Sequence, residues 1–303
     1  MRRIFTILKT IFLSPFRLVF WVLNIIWGWV KDFGRSIAEI FAKDEIEDTP
    51  IGETWDKVYQ NPREILGHLN ALRKHLFRGS IVFLIATGFS FVYAERILEI
   101  LTLPLGGIQQ LEAVDITEPI GTFMRVSLLA GFAISLPYIV LEVWLFLAPG
   151  LRRRSRIYGF VTLPLVTLFF IAGIAFTYFV MLGPAIGILV DFLGIPTQVR
   201  PASYVPFVTN LMFWIGVAFQ FPILIYILAA VGLVRAQNLL KHTRLAISIL
   251  AIFAAMITPT VDPINMMIVW GPLVVLYFLG LGLALFAEKA RGRRLAKNAE
   301  ENS

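Results

Sequence analysis

Runs of about 20 apolar residues recur along this chain, and a water-soluble core does not absorb several of them at once. Twenty residues at 1.5 Å rise each make a helix of about 30 Å, the thickness of a bilayer's hydrocarbon layer. Of the 303 residues, 58% are hydrophobic and only 16% charged, where a soluble domain carries about 25% charge. The pattern describes an all-α membrane protein with six transmembrane helices. A water-soluble enzyme is excluded.

The six segments run Gly79 to about Ala94, Ile120 to Leu147, Phe160 to Leu182, Phe207 to Val234, Leu245 to Ile257 and Asn265 to Phe286. Segment five stops after thirteen residues at Thr258-Pro259, and as a helix it covers about 20 Å. With the stretch after Asp262-Pro263 it reads as a hairpin of short fifth and sixth helices that crosses incompletely or thins the bilayer. Orientation follows from Lys and Arg. Arg152, Arg153, Arg154 and Arg156 follow segment two, Arg235, Lys241 and Arg244 follow segment four, and Lys289, Arg291, Arg293, Arg294 and Lys297 lie in the tail. The opposite loops hold Arg96 and Arg200 only, so twelve face two and both termini belong inside, N-in and C-in. The net charge of +7 is therefore topological, and no basic block has the length or interleaved aromatics of a nucleic-acid site.

Residues 1–60 form an N-terminal extension ahead of a core at 61–287, with a basic tail at 288–303. Ile11 to Val30 is apolar apart from Arg17 and Asn24, and carries Trp21, Trp27 and Trp29. An interfacial helix on the cytoplasmic surface suits the positive-inside rule; an extra span and a cleaved signal peptide remain open alternatives. The acidic stretch Lys43–Asp56 reads as a solvated linker.

Catalytic chemistry is scarce. The chain has no cysteine, its three histidines (His68, His75, His242) lie at cytoplasmic ends, and no phosphate-cradling loop is present. No cofactor and no metal are expected. What remains are polar groups at membrane depth, Arg125, Glu142 and Gln220, with Asp262 nearer an interface. Such groups are functional candidates by default, although Arg125 can snorkel, Glu142 can be an interfacial carboxylate and Asp262 can cap the last helix. Gln220 is expected to make an interhelical hydrogen bond or to line a cavity.

Four motifs then occur in series: His68-Leu69 with Leu72-Arg73-Lys74, a loop containing Pro104, Leu145-Phe146-Leu147-Ala148-Pro149-Gly150-Leu151, and Ile257-Thr258-Pro259-Thr260-Val261-Asp262-Pro263. Their order resembles the TatC family, the six-span receptor subunits of the twin-arginine protein translocase, over about residues 61–287. The resemblance implies a cupped fold and export of folded proteins across the bacterial cytoplasmic membrane, driven by the proton-motive force without nucleotide. It implies single-span partners of the TatA and TatB type, twin-arginine signal peptides as ligands, a surrounding bilayer and a homo-oligomeric complex. The signal-peptide positions it implies are Leu69, Ala71, Leu72, Arg73, Phe146, Pro149 and Ser155, with Thr258 and Asp262 among the partner-docking polar groups.

The departures from the family's pattern are also specific. Ala71 and Ser155 stand where the family usually has the glutamates that meet the arginine pair, and Gln220 and Phe278 stand where it has acids. Conversely, Glu142 occupies a position that is often glutamine. Glu64 and Glu142 are the nearby acids left on that face. The readings that follow are an ordinary receptor subunit, a divergent scaffold that no longer reads arginines, or a small-solute or ion permease using Arg125, Glu142 and Gln220.

Overall fold

A computed structural model describes residues 62–148, 153–190, 197–258 and 263–301. The extension at 1–60, Pro149 and Asp262 lie outside the described residues, and Ser155 is described in its backbone alone. The helices are α1 (Pro62–Phe91), α2 (Ala94–Thr102), α3 (Glu118–Leu147), α4 (Arg153–Phe176), α5 (Leu182–Val190), α6 (Pro201–Ala218), α7 (Phe221–Val231), α8 (Ala236–Lys241), α9 (Thr243–Ile257) and α10 (Pro263–Glu301). The chain divides into two compact units, 1–71 with 144–157, and 72–143 with 158–303. All tertiary contacts described below lie within the second.

Five helical stretches are long and apolar enough to cross a membrane: Gly67–Leu105, Glu118–Phe146, Leu163–Val190, Pro201–Ala230 and Pro263–Ala290. The shortest have 28 residues, about 42 Å of helix against a hydrocarbon layer of about 30 Å. Helix α9 has 15 residues and is the short one. The expectation of a short sixth helix is corrected, because α10 keeps a 28-residue apolar stretch and continues as helix to Glu301. Thr258 caps α9 just after its last residue Ile257, while Pro263 is the first residue of α10, where a missing N–H costs nothing. The hairpin is therefore asymmetric.

Helix boundaries also run past the apolar runs. Helix α1 starts at Pro62, well before Gly79, because backbone bonding continues through residues whose side chains are polar. Proline sets the internal breaks. Pro222 offers no N–H to the carbonyl four residues back, so the fourth span splits at Phe219-Gln220 into α6 and α7. Pro184 lies just after a π turn at Thr177–Met181 that joins α4 to α5.

Large apolar side chains point outward throughout, with Phe179 at 79% and Met256 at 74% exposure. Such a surface suits lipid, not water. The interior is built where helices approach closely. A Cβ on Gly131 would lie 2.6 Å from the Thr87 Cα, and one on Gly173 would lie 2.8 Å from the Gly216 Cα. Small residues at crossings let backbones touch, the principal packing device where lipid removes the hydrophobic drive. A main cluster gathers Val126, Met181, Leu182, Val205, Leu211, Ile215 and Leu273, while Ala229, Ala284 and Ala287 pack α7 against α10.

Candidate functional site

Helix α3 carries the most consequential polar group. Glu142 is 2% exposed, and both carboxylate oxygens are engaged. Oε2 accepts from His75 Nδ1 of α1 at 2.5 Å, and Oε1 accepts from the Tyr138 hydroxyl, one turn earlier on α3, at 2.5 Å. A buried carboxylate is tolerable where its oxygens are bonded, and an oxygen accepting from each of two side chains meets that condition. Burial also withdraws Glu142 from an incoming guanidinium, so it is not the exposed interfacial acid that its sequence position allowed. His75 and Tyr138 were missing from the residues singled out by sequence. The signal that could have found them is the i,i+4 spacing of Tyr138 and Glu142 and the placement of His75 on the first helix.

Gln220 sits at the break between α6 and α7. Its amide nitrogen donates to the Gly216 carbonyl at 3.3 Å, within its own span, and among the described residues it makes no interhelical hydrogen bond, one of the two roles expected of it beside lining a cavity. Its Oε1 is buried without a partner among the described residues. Arg125 is exposed on α3 and lines an open cavity of about 360 Å³ with Phe83, Leu128, Leu129, Phe132, Thr209, Asn210 and Phe213.

At the far end of α3, the Arg200 guanidinium donates to Glu118 Oε1, through Nε at 3.0 Å and also through Nη2. Arg200 precedes α6 and Glu118 opens α3, so one ion pair ties the two helix starts. Asp115 accepts from the Thr117 N–H at 2.9 Å and from its hydroxyl at 3.0 Å, and the backbone bond first of all holds its carboxyl below the usual value. The buried Tyr204 hydroxyl donates to the Leu101 carbonyl at 2.7 Å. Pro104 lies in the 3-10 turn Leu103–Leu105 after α2. An isolated parallel bridge pairs Leu111 with Val199, where the Glu112 N–H donates to the Val199 carbonyl at 3.1 Å.

The motif residues are distributed as follows. Leu69 and Leu72 are exposed on α1 at 55% and 43%, Arg73 is exposed, and Ala71 and Phe146 are half-buried. Thr258 is buried and its hydroxyl donates to the Ala254 carbonyl at 2.9 Å, closing α9. No group of three or more His, Asp or Glu able to hold a metal occurs among the described residues.

Five helices long and apolar enough to cross a bilayer define a multi-pass α-helical membrane protein. The family model described as Sec-independent protein translocase protein (TatC) matches residues 67–272, and the chain belongs to that family. Among relatives, the Sec-independent protein translocase protein TatC of Carboxydothermus hydrogenoformans is 28% identical over 228 residues, covering 74% of this chain and 94% of its own. That of Deinococcus radiodurans is 32% identical, covering 73% and 85%. The solved structure described as the crystal structure of the twin-arginine translocase receptor TatC is 30% identical. It superposes with a TM-score of 0.65 over 73% of this chain and 99% of that one. The same receptor solved in DDM gives a TM-score of 0.66 over 72% and 99%.

Proposed function

We propose that this chain is the receptor subunit of a twin-arginine translocase, taking signal peptides of folded cargo at the cytoplasmic face of a bacterial inner membrane. The observation that carries the reading is the likeness to the solved twin-arginine translocase receptor, which covers 99% of that chain. In this reading the membrane is crossed six times. Five crossings use the long helices, and the sixth uses α9, which covers about 22 Å and requires local thinning of the bilayer. The twelve-to-two Lys/Arg asymmetry supports N-in and C-in topology, and the neighbours in this scheme are single-span TatA- and TatB-type subunits. The core is taken as 61–287, between the extension and a basic cytoplasmic tail. Transport needs no nucleotide in this scheme and is driven by the proton-motive force.

The resemblance assigns Leu69, Ala71, Leu72, Arg73, Phe146, Pro149 and Ser155 to signal-peptide recognition in this proposal, and of these Leu69, Leu72 and Arg73 are exposed on α1. Gln220 and Thr258 belong to the partner-docking polar set, with Arg125, Glu142 and Asp262. Expression in cells lacking their own TatC tests the reading: a twin-arginine cargo should reach the periplasm, and cargo retained in the cytoplasm of cells that insert the protein overturns it. A second reading rests on Ala71 and Ser155, neither of which offers a carboxylate to an arginine. The chain then assembles with single-span partners without reading the arginine pair. Partner copurification together with failed export selects that scaffold.

A further inference from the structure

Arg125 combines three properties that its role in span two does not explain. It is exposed on a membrane-spanning helix, it has no ion-pair or hydrogen-bond partner among the described residues, and it opens onto a cavity. It lies seven residues below Glu118 on α3, about 10 Å along the axis. Thr209 and Asn210 lie eight and nine residues below Pro201 on α6, about 12–14 Å down. The polar end of the cavity is thus at one depth, just inside the membrane from the Glu118–Arg200 ion pair.

Leu129 and Phe132 on α3, and Phe213 on α6, lie deeper, about 16–21 Å down. Phe132 is held by edge-to-face contacts with Phe83, Phe170 and Phe213, at centroid separations of 6.2, 5.5 and 5.1 Å. The wall is therefore fixed. A cavity with a cation and an amide at the headgroup side and rigid aromatics toward the membrane centre has the polarity of an amphiphile.

We infer that this cavity is a binding site for an anionic phospholipid, whose phosphate pairs with Arg125 and hydrogen-bonds Asn210 while one acyl chain lies along Phe132 and Phe213. The guanidinium fork matches a phosphate's oxygens, and an unpaired guanidinium at membrane depth is costly until an anion meets it. Assigning the occupied leaflet as the outer one rests on the topology proposed above; the site itself does not.

Native mass spectrometry of the full-length protein in detergent, titrated with phosphatidylglycerol or phosphatidylcholine, tests the inference. Wild type should retain phosphatidylglycerol at least tenfold better than phosphatidylcholine. Arg125→Gln should abolish that preference and Arg125→Lys should keep part of it. Asn210→Leu should weaken retention several-fold from the other helix, which keeps the test alive if Arg125→Gln does not fold. Arg96→Gln, outside the cavity lining and paired with Glu99 at 2.8 Å, should change nothing. An undiminished preference in Arg125→Gln overturns the inference. So does displacement of the lipid by inorganic phosphate, or a loss of copurified single-span partner in Arg125→Gln with lipid retention unchanged. The readout is bound lipid, so failure of the translocase reading and failure of this site are separate results.

Discussion

Replacing Glu142 by leucine removes the carboxylate that joins α1 to α3 and leaves His75 and Tyr138 facing an apolar side chain. Each lost bond to a charged acceptor is worth about 1.5–3 kcal/mol in soluble proteins, and about 0.6 kcal/mol is the average for interhelical bonds measured inside a membrane protein. Two bonds therefore bracket the loss between about 1 and 6 kcal/mol. The near-complete burial of Glu142 and its position near the end of the span place it at about 2–4 kcal/mol. Glu142→Gln, which keeps one acceptor oxygen, should lose about half of that. The decisive measurement is a double-mutant cycle with His75→Leu, read as unfolding free energy of the protein in detergent. Contact at 2.5 Å predicts a coupling of about 1–2 kcal/mol. Independent sites add within about 0.3–0.5 kcal/mol, so additivity at that level refutes the pairing. Export of a twin-arginine cargo should fall in step with stability, and Glu99→Leu, which removes a half-buried carboxylate paired only locally with the exposed Arg96, should leave both unchanged.

Restoring both acids, Ala71→Glu with Ser155→Glu, should tighten binding of a twin-arginine peptide by up to about 1–2 kcal/mol after solvent screening; a twin-lysine peptide should gain less, and equal gains would remove these positions from arginine reading. Gly173→Leu should force α4 from α6, where the Cβ would already stand 2.8 Å from the Gly216 Cα, and lower stability by about 1–3 kcal/mol. Gly282→Ala, which meets open space, is the matched control, and equal unfolding midpoints for the two would refute the close crossing. Tyr204→Phe should cost about 0.5–1.5 kcal/mol through the lost bond to Leu101, and an unchanged midpoint would show that bond to be dispensable.

The sequence alone determined that the chain belongs in a membrane, because a run of apolar residues carries its own free energy of insertion wherever its neighbours are. The serial motifs from His68 to Pro263 likewise placed it in its family, as order along a chain survives without knowledge of contacts. Gln220 was legible as a polar group in mid-span, but Phe207 to Val234 reads in sequence as one segment, and only the structure shows the break that Pro222 sets two residues on. Partnerships were not legible. His75 and Glu142 are 67 positions apart and Arg200 and Glu118 are 82 apart, and local periodicity says nothing about which helix faces meet. For that reason Glu142 reads in sequence both as a functional candidate at membrane depth and as a simple interfacial carboxylate, and its burial against α1 is not foreseen there. Arg125 reads as a functional candidate that can also snorkel, without neighbours assigned to it, since only the approach of α6 to α3 sets Asn210 and Phe213 beside it. Hydropathy is a property of each residue and fixes the spans, whereas burial and charge pairing belong to pairs of surfaces that exist only once the helices have packed.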